Sequence, residues 1–196
     1  LQMFDSQSSE TLSVDHLNIA TTAHTDNFPD YTQQDAQEYL TYIIDCIEKA
    51  SGRRLSELSG RTITRIHWNC CNTTTENDTD TNRILQLPIK SDTLLGCINK
   101  FCEKVQVGDE DGVECSDCKG KRSFPTHQTV FCPSEFAIVQ LKRFEYDTSR
   151  NVGRKRLDHV EFPLDGLKFP DCNNEYDLTC VVNQEHPEED ETLSLD

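Results

Sequence analysis

No run of about 18 apolar residues occurs anywhere in this chain, so it offers no candidate membrane-spanning helix. Basic residues are scarce: 19 Lys and Arg stand against 35 Asp and Glu, a formal net charge of −16. That balance argues against nucleic acid, whose phosphates need a basic face. It favours a basic partner surface, or plain solubility. Apolar content is also low, at 35% with a mean hydropathy of −0.65, which points to loops or a thinly packed extended part. Internal repeats are absent, and so is a signal peptide. Leu1 is not an initiator methionine, and the chain reads as an internal fragment. Its 196 residues suit one domain, with or without an appended subdomain.

Cysteine is the residue in surplus, with ten copies, yet none precedes Cys46. Ten is high for a cytosolic chain and low for a disulfide scaffold. The spacing favours a reducing compartment with one metal site, because Cys115 and Cys118 form a C-x-x-C. Cys46 and Cys97 fall in helical patterns and read as small buried hydrophobes. The Asn-x-Thr triplets at Asn72 and Asn77 carry no meaning in an intracellular protein. A rival reading is an extracellular cysteine-rich binding module.

The clearest helix is expected to start at Gln33 and run to Ala50. Ala36, Tyr39, Leu40, Ile43, Ile44 and Ile47 recur at three- and four-residue spacing and form one apolar stripe. Thr32 with Asp35 resembles a capping box, and Gly52 sits where a helix stop is expected. Asp35 and Glu38 then project about 60° apart on one flank, at about 100° per residue. They are either a helix-start feature favoured by the dipole or an acidic ledge for a ligand.

Further along, residues 13–20 suit a short helix and residues 61–68 a strand. Residues 69–82, rich in Asn, Thr and Asp, read as a turn or long loop. Asp78-x-Asp80-x-Asn82 loosely resembles a calcium loop. Arg83 and Ile89 stand where that loop needs glycine and glutamate, so calcium is rejected. A strand is expected at 83–90, then a helix at 92–102 capped by Ser91 or Asp92. Residues 105–118 read as a strand and knuckle with turns at Gly108 and Gly112, and 124–131 as a strand. Residues 136–144, FAIVQLKRF, form the most pronounced strand, apolar on both faces at its start and so central in a sheet. A basic loop at 147–156 precedes strands at 160–162 and 176–182. The segment from Gln184, acidic without one basic residue, suits a disordered tail or insertion.

Zinc prefers four thiolate or imidazole ligands in a tetrahedron, and Cys115 with Cys118 supply two from one turn. The other pair is expected from His67 and Cys70, an H-x-x-C after a strand. Cys71 replaces Cys70 if the turn slips by one residue.

The string QQDAQEYL resembles the motif that follows the catalytic-cysteine segment in ubiquitin-specific proteases, the papain-like deubiquitinases. More of the family's pattern follows in order. ITRIHWNC, ILQLPI, LLGCINKF and VECSDC stand where that family has two cysteine knuckles separated by a strand and a helix. Pro133 and FAIVQLKRF, then VEFPLDGL, then YDLTCVVN complete a resemblance that covers residues 31–183.

The resemblance implies an α+β, papain-like fold with thumb helices and β-rich fingers and palm, here incomplete. Residues 1–60 would be thumb, 61–129 fingers and 130–183 palm, with 184–196 the acidic tail or insertion. It implies hydrolysis of the (iso)peptide bond at the ubiquitin C-terminus by a cysteine nucleophile. Gln33, Asp35 and Glu38 would line the channel for ubiquitin's arginine-bearing tail, and Arg143 and Phe144 would contact ubiquitin nearby. Its partners would be ubiquitin and ubiquitinated proteins, not nucleic acid or membrane. Its cofactor would be one structural zinc ion, with no organic group, and its place the cytoplasm or nucleus.

Two departures stand out. The family's Gly-Asn-Thr-Cys nucleophile segment precedes the main helix, where this chain has no cysteine. Its Gly-His-Tyr base motif follows the Val-Val-Asn strand, where Gln184 occurs and His186 lacks that context. No catalytic residue is therefore assigned here, and the alternative is an inactive ubiquitin-binding pseudo-enzyme.

Overall fold

A computed structural model describes residues 3, 4, 11, 12, 28, 35–107, 112–119, 122–147 and 152–182. The expected helix at 13–20, Thr32, Gln33, Gly108 and the acidic segment from Gln184 lie outside the described residues. The chain forms two compact units, one of residues 1–54 and 179–196, the other of Leu55–Leu178.

In the first unit, β1 (Met3–Phe4) and β2 (Thr11–Leu12) pair antiparallel. The helix α1 spans Ala36–Ser51 and begins three residues later than expected. Asp35 decides its start. Its backbone is extended, and its Oδ1 accepts the amides of Gln37 (2.8 Å) and Glu38 (3.1 Å), two of the donors a helix start leaves open. Gly52, at φ 63°, ends it in the left-handed conformation glycine adopts freely. Ile44 is buried, and Phe28 packs on Tyr39 and Tyr42 with ring centroids 5.2 Å away in each case.

The second unit is built on β3 (Gly60–Trp68), which carries ladders on both edges. One partner is β4 (Thr73–Asn82), so most of the expected 69–82 loop is strand. Asn and Asp are turn formers, which is why the stretch reads as loop. The threonines of β4 favour a pleated backbone, and it is an edge strand on which Glu76 and Asp78 face water. Across the pair, Arg61 meets Asp78 at 2.8 Å and Arg65 meets Glu76 at 2.7 Å.

After β5 (Ile84–Pro88) comes α2 (Leu94–Phe101). Its cap is Thr93 rather than Ser91 or Asp92; the Thr93 hydroxyl accepts the Gly96 amide at 3.1 Å. Short strands β6 (Val105–Gln106), β7 (Val113–Glu114) and β8 (Arg122–Ser123) lead to β9 (Thr126–Cys132). The resulting sheet has the order β4-β3-β9-β6, all antiparallel.

Next is β10 (Ile138–Lys142), parallel to β5. It is shorter than the expected 136–144, and β5 is its only partner among the described strands, so it is not central in a sheet. Phe136 and Phe144, 46% and 65% exposed, fall outside it. The expected basic loop is partly strand: β11 (Phe144–Asp147) and β12 (Val152–Lys155) form a hairpin. Around residue 161 there is only a single bridge, Glu161 to Thr93. Of the expected 176–182 strand only Tyr176 is in one: β14 (Glu175–Tyr176) pairs with β13 (Leu167–Lys168). Leu178, Val181 and Val182 are exposed and have no ladder, and alternation alone does not make a strand.

The core of this unit lies where β5, α2 and the end of β9 meet. Leu85, Leu87, Ile98 and Phe131 are fully or nearly enclosed, with Phe169 against the Phe131 ring at 6.0 Å. Among the described residues no helix is long and apolar enough to cross a membrane.

Gly60 is part of this packing. A Cβ there would stand 2.4 Å from the Phe131 ring and 3.2 Å from the Asn82 carbonyl oxygen. We therefore expect Gly60→Ala to destabilise the fold by roughly 1–3 kcal/mol, as overpacking does. In thermal melts that lowers Tm by about 2–4 °C per kcal/mol. An unchanged Tm would mean that the ring moves aside freely.

Candidate functional site

The second knuckle forms where the sequence places it. After β7 the chain turns through Ser116 and Asp117, and the Lys119 amide closes the turn on the Cys115 carbonyl at 3.0 Å. Lys119 takes a left-handed backbone, φ 42°, to make that turn. The amides of Cys118 and Asp117 hydrogen-bond the Cys115 side chain, whose sulfur is fully enclosed.

The first knuckle is the turn between β3 and β4. It contains Cys70 and Cys71, and Asn72 is left-handed at φ 53°. Asn69 Nδ2 ties it to the Phe124 carbonyl at 2.7 Å, and Phe124 lies just ahead of β9.

The two knuckles bring Cys70, Cys71, Cys115 and Cys118 together, with all four sulfurs within 4.8 Å of one another. His67 is not among them. It is still inside the β3 ladder, opposite Thr74, and its Nδ1 lies 3.1 Å from the Thr74 hydroxyl. The turn begins only after Trp68, so it carries the two adjacent cysteines to the site and leaves the histidine on the strand. Cys71 joins Cys70 instead of replacing it. The signal for this is the doublet itself, at the tip of a hairpin whose arms were not both legible.

The quartet fits a tetrahedral zinc ion. With zinc–sulfur bonds of about 2.3 Å, a tetrahedron sets its sulfurs about 3.8 Å apart. Cys70 and Cys71 are 3.9 Å apart here, and Cys71 and Cys115 3.8 Å. A disulfide needs about 2.05 Å, and all ten cysteines are free thiols.

The crowding resists ionisation. The Cys118 thiol is pushed up to about 12, by the hydrogen bond with Cys70 first, then by burial and the other two thiols. For Cys115 the Cys118 amide pulls the other way, but burial and the neighbouring thiols leave it raised. A divalent cation reverses this balance, since thiols bind it as thiolates.

The residues expected to meet a partner are not among the four clustered thiols. Asp35 and Glu38 are exposed at the start of α1, in the first unit; Asp35 Oδ1 is engaged as the cap. Arg143 and Phe144 belong to the second unit. The Arg143 guanidinium is half-buried and donates through Nη1 to the carbonyls of Asp158 (2.8 Å) and Arg156 (3.3 Å). Phe144 is exposed, with the Lys155 ammonium 5.6 Å from its ring centre.

The α+β arrangement is that of papain-like ubiquitin hydrolases. A family model described as "Ubiquitin carboxyl-terminal hydrolase" matches residues 1–192, and the chain belongs to that family. Ubiquitin carboxyl-terminal hydrolase 8 of Arabidopsis thaliana is 32% identical over 80 residues, 41% of this chain and 9% of that protein. Among solved structures, a chain of the SAGA Ubp8/Sgf11/Sus1/Sgf73 DUB module bound to ubiquitin aldehyde superposes with a TM-score of 0.59 at 26% identity. That match covers 69% of this chain and 32% of the other. The same module with one Ubp8 cysteine replaced by alanine, bound to monoubiquitin, gives 0.60 at 26% identity over 69% of this chain and 33% of its own. This chain thus spans about a tenth of the curated relative and about a third of the solved chains.

Because ligand thiols must lose protons, metal affinity should fall as pH is lowered. At neutral pH we expect elemental analysis of protein prepared with zinc to find about one equivalent, held by four thiolates as in other structural sites. His67→Ala should retain it and Cys71→Ser should lose most of it. Loss in the first variant and retention in the second would restore the histidine-bearing register.

Proposed function

We propose that this chain is the ubiquitin-recognising part of a cysteine-type deubiquitinase, one that hydrolyses the (iso)peptide bond at the ubiquitin C-terminus. The observation that carries the reading is the family match over residues 1–192. The solved relatives described above, bound to ubiquitin aldehyde and to monoubiquitin, support ubiquitin as the partner.

In this reading residues 1–60 are thumb, 61–129 fingers and 130–183 palm, and 184–196 an acidic appendage. The structural metal is zinc, held by Cys70, Cys71, Cys115 and Cys118 at the tips of the fingers. Its contribution is folding energy: it ties the β3–β4 turn to the β7–β8 hairpin. Gln33, Asp35 and Glu38 receive the arginine-bearing tail of ubiquitin, and Arg143 and Phe144 line the approach. The carbonyl contacts of Arg143 make it a positioning residue that holds the 156–158 stretch, with Phe144 the contact surface.

Cleavage needs a thiolate to attack the carbonyl and a base to activate it. None of the ten cysteines precedes Cys46, and no Gly-His-Tyr triplet occurs in these 196 residues. We therefore expect the chain by itself to show no turnover of a fluorogenic ubiquitin C-terminal substrate. Turnover that disappears on alkylation of Cys70 or Cys71 would overturn that expectation.

The acidic ledge gives the sharper test. A carboxylate binds arginine through a charge-assisted pair, and losing one partner of a desolvated pair costs about 2–5 kcal/mol. Asp35 is an ambiguous probe because its Oδ1 also caps α1. Glu38 is cleaner: Glu38→Gln keeps size and helix propensity and removes only charge. In the protein that carries the whole catalytic domain, we expect this variant to lose tenfold or more in ubiquitin affinity or kcat/KM, with Tm unchanged. The loss should shrink against a ubiquitin whose tail arginines are replaced. Kinetics like the parent protein, with a lowered Tm, would leave the ledge as helix architecture alone.

A further inference from the structure

Away from the metal quartet, three more thiols converge from distant parts of the chain. Cys102 ends α2, Cys132 ends β9 and Cys172 follows β13. The stretch 169–176 is clamped onto residues 131–134 at several points. Phe169 packs on Phe131, and the Tyr176 hydroxyl lies 3.1 Å from the Pro133 carbonyl oxygen and 2.8 Å from that of Ser134. Between these contacts, the Cys172 thiol donates to the Phe131 carbonyl at 3.6 Å. That carbonyl belongs to the peptide group leading into Cys132, so the Cys172 sulfur sits beside the Cys132 backbone. Asp171, left-handed at φ 62°, is held to β3 by Arg65, which fixes the turn that presents Cys172.

We propose that Cys132 and Cys172 form a redox modification site, at which a low-molecular-weight disulfide converts the two thiols into a disulfide stapling residues 169–176 to the end of β9.

The step balances. Cys132 gives up its proton, and its sulfur attacks one sulfur of the oxidant. The oxidant's S–S bond breaks and one thiol leaves carrying that proton. Cys172 then loses its proton and attacks the Cys132 sulfur of the mixed disulfide, releasing the second thiol. Two protein thiols lose two protons and two electrons, and the oxidant gains both. Burial pushes the Cys172 thiol up to about 12, with the Cys132 thiol adding to it. Their existing proximity matters because a disulfide tolerates Cα separations only up to about 7 Å.

The test uses the full 196-residue chain, reduced and zinc-loaded, exposed to glutathione disulfide either folded or unfolded in urea. Remaining thiols are blocked and the unreduced digest is mapped by mass spectrometry. The expected product of the folded protein is a Cys132–Cys172 linked peptide, two hydrogens lighter than the sum of its parts and lost on reduction. Zinc should be retained. Closing a loop of about 40 residues should raise Tm by about 5 °C or more. In Cys172→Ser that rise should vanish and a glutathione adduct should accumulate on Cys132. If that variant misfolds by circular dichroism, the map of the parent protein still decides. Cys172 left free in the folded chain, Cys132 joined to Cys102, or the same linkage forming equally in urea would each overturn the proposal.

Discussion

The two-sided ladder of β3 is the constraint on which the second unit depends. An isolated hairpin of β3 and β4 would be marginal in water, and the third strand, β9, gives it a partner on its other edge. The same register sets several distant features. It places Gly60 under the Phe131 ring, so the sheet can close on the core. It puts Arg65 where one guanidinium reaches both Glu76 on β4 and Asp171 beyond β13. And it decides how far the strand runs before the chain turns, and thus which thiols join the four-cysteine cluster.

Several acids lie on β4, whose outer edge would otherwise be a template for pairing with another chain. Inward of that edge, Arg61 and Arg65 offset two of them. These exposed pairs contribute little to stability, about 0–1 kcal/mol each, but like charges unopposed across the same strands would be unfavourable. The Arg65 guanidinium is held further up by its bonds to Glu76 first and Asp171 second.

The cysteines divide by environment. Four converge where the β3–β4 turn meets the Cys115–Cys118 knuckle, and there crowding opposes ionisation unless a cation is bound. Cys97 and Cys102 are core residues, packed with Leu85, Leu87 and Ile98 as small hydrophobes. Cys132 and Cys172 are half-buried at the junction of sheet and loop. One residue type therefore stands in a cluster that could hold a metal ion, in the apolar core and at a half-buried junction, and sequence spacing does not single out the last.

Features set within a turn or two of chain were legible before any fold was in hand. Asp35 and Gly52 bound α1 because a cap and a stop act over one turn, although the start was read three residues early through Thr32. The Cys115–Cys118 knuckle closes through bonds spanning a few residues, and Leu85 and Leu87 alternate on a strand that is found where expected. The family resemblance was legible for the same reason, since its motifs are short contiguous strings. Pairing between strands governed the rest. Residues 73–82 look like a loop in isolation and become a strand because β3 supplies the ladder. Phe136 and Phe144 look like the ends of one strand, but β10 pairs with β5 only from Ile138 to Lys142, and Phe144 instead opens the β11–β12 hairpin. His67 has the spacing of a ligand, but the strand carries on past it, and Cys71 arrives in its place. Pairing with another strand leaves no mark in the spacing of the segment itself, so only the folded ladder could reveal it.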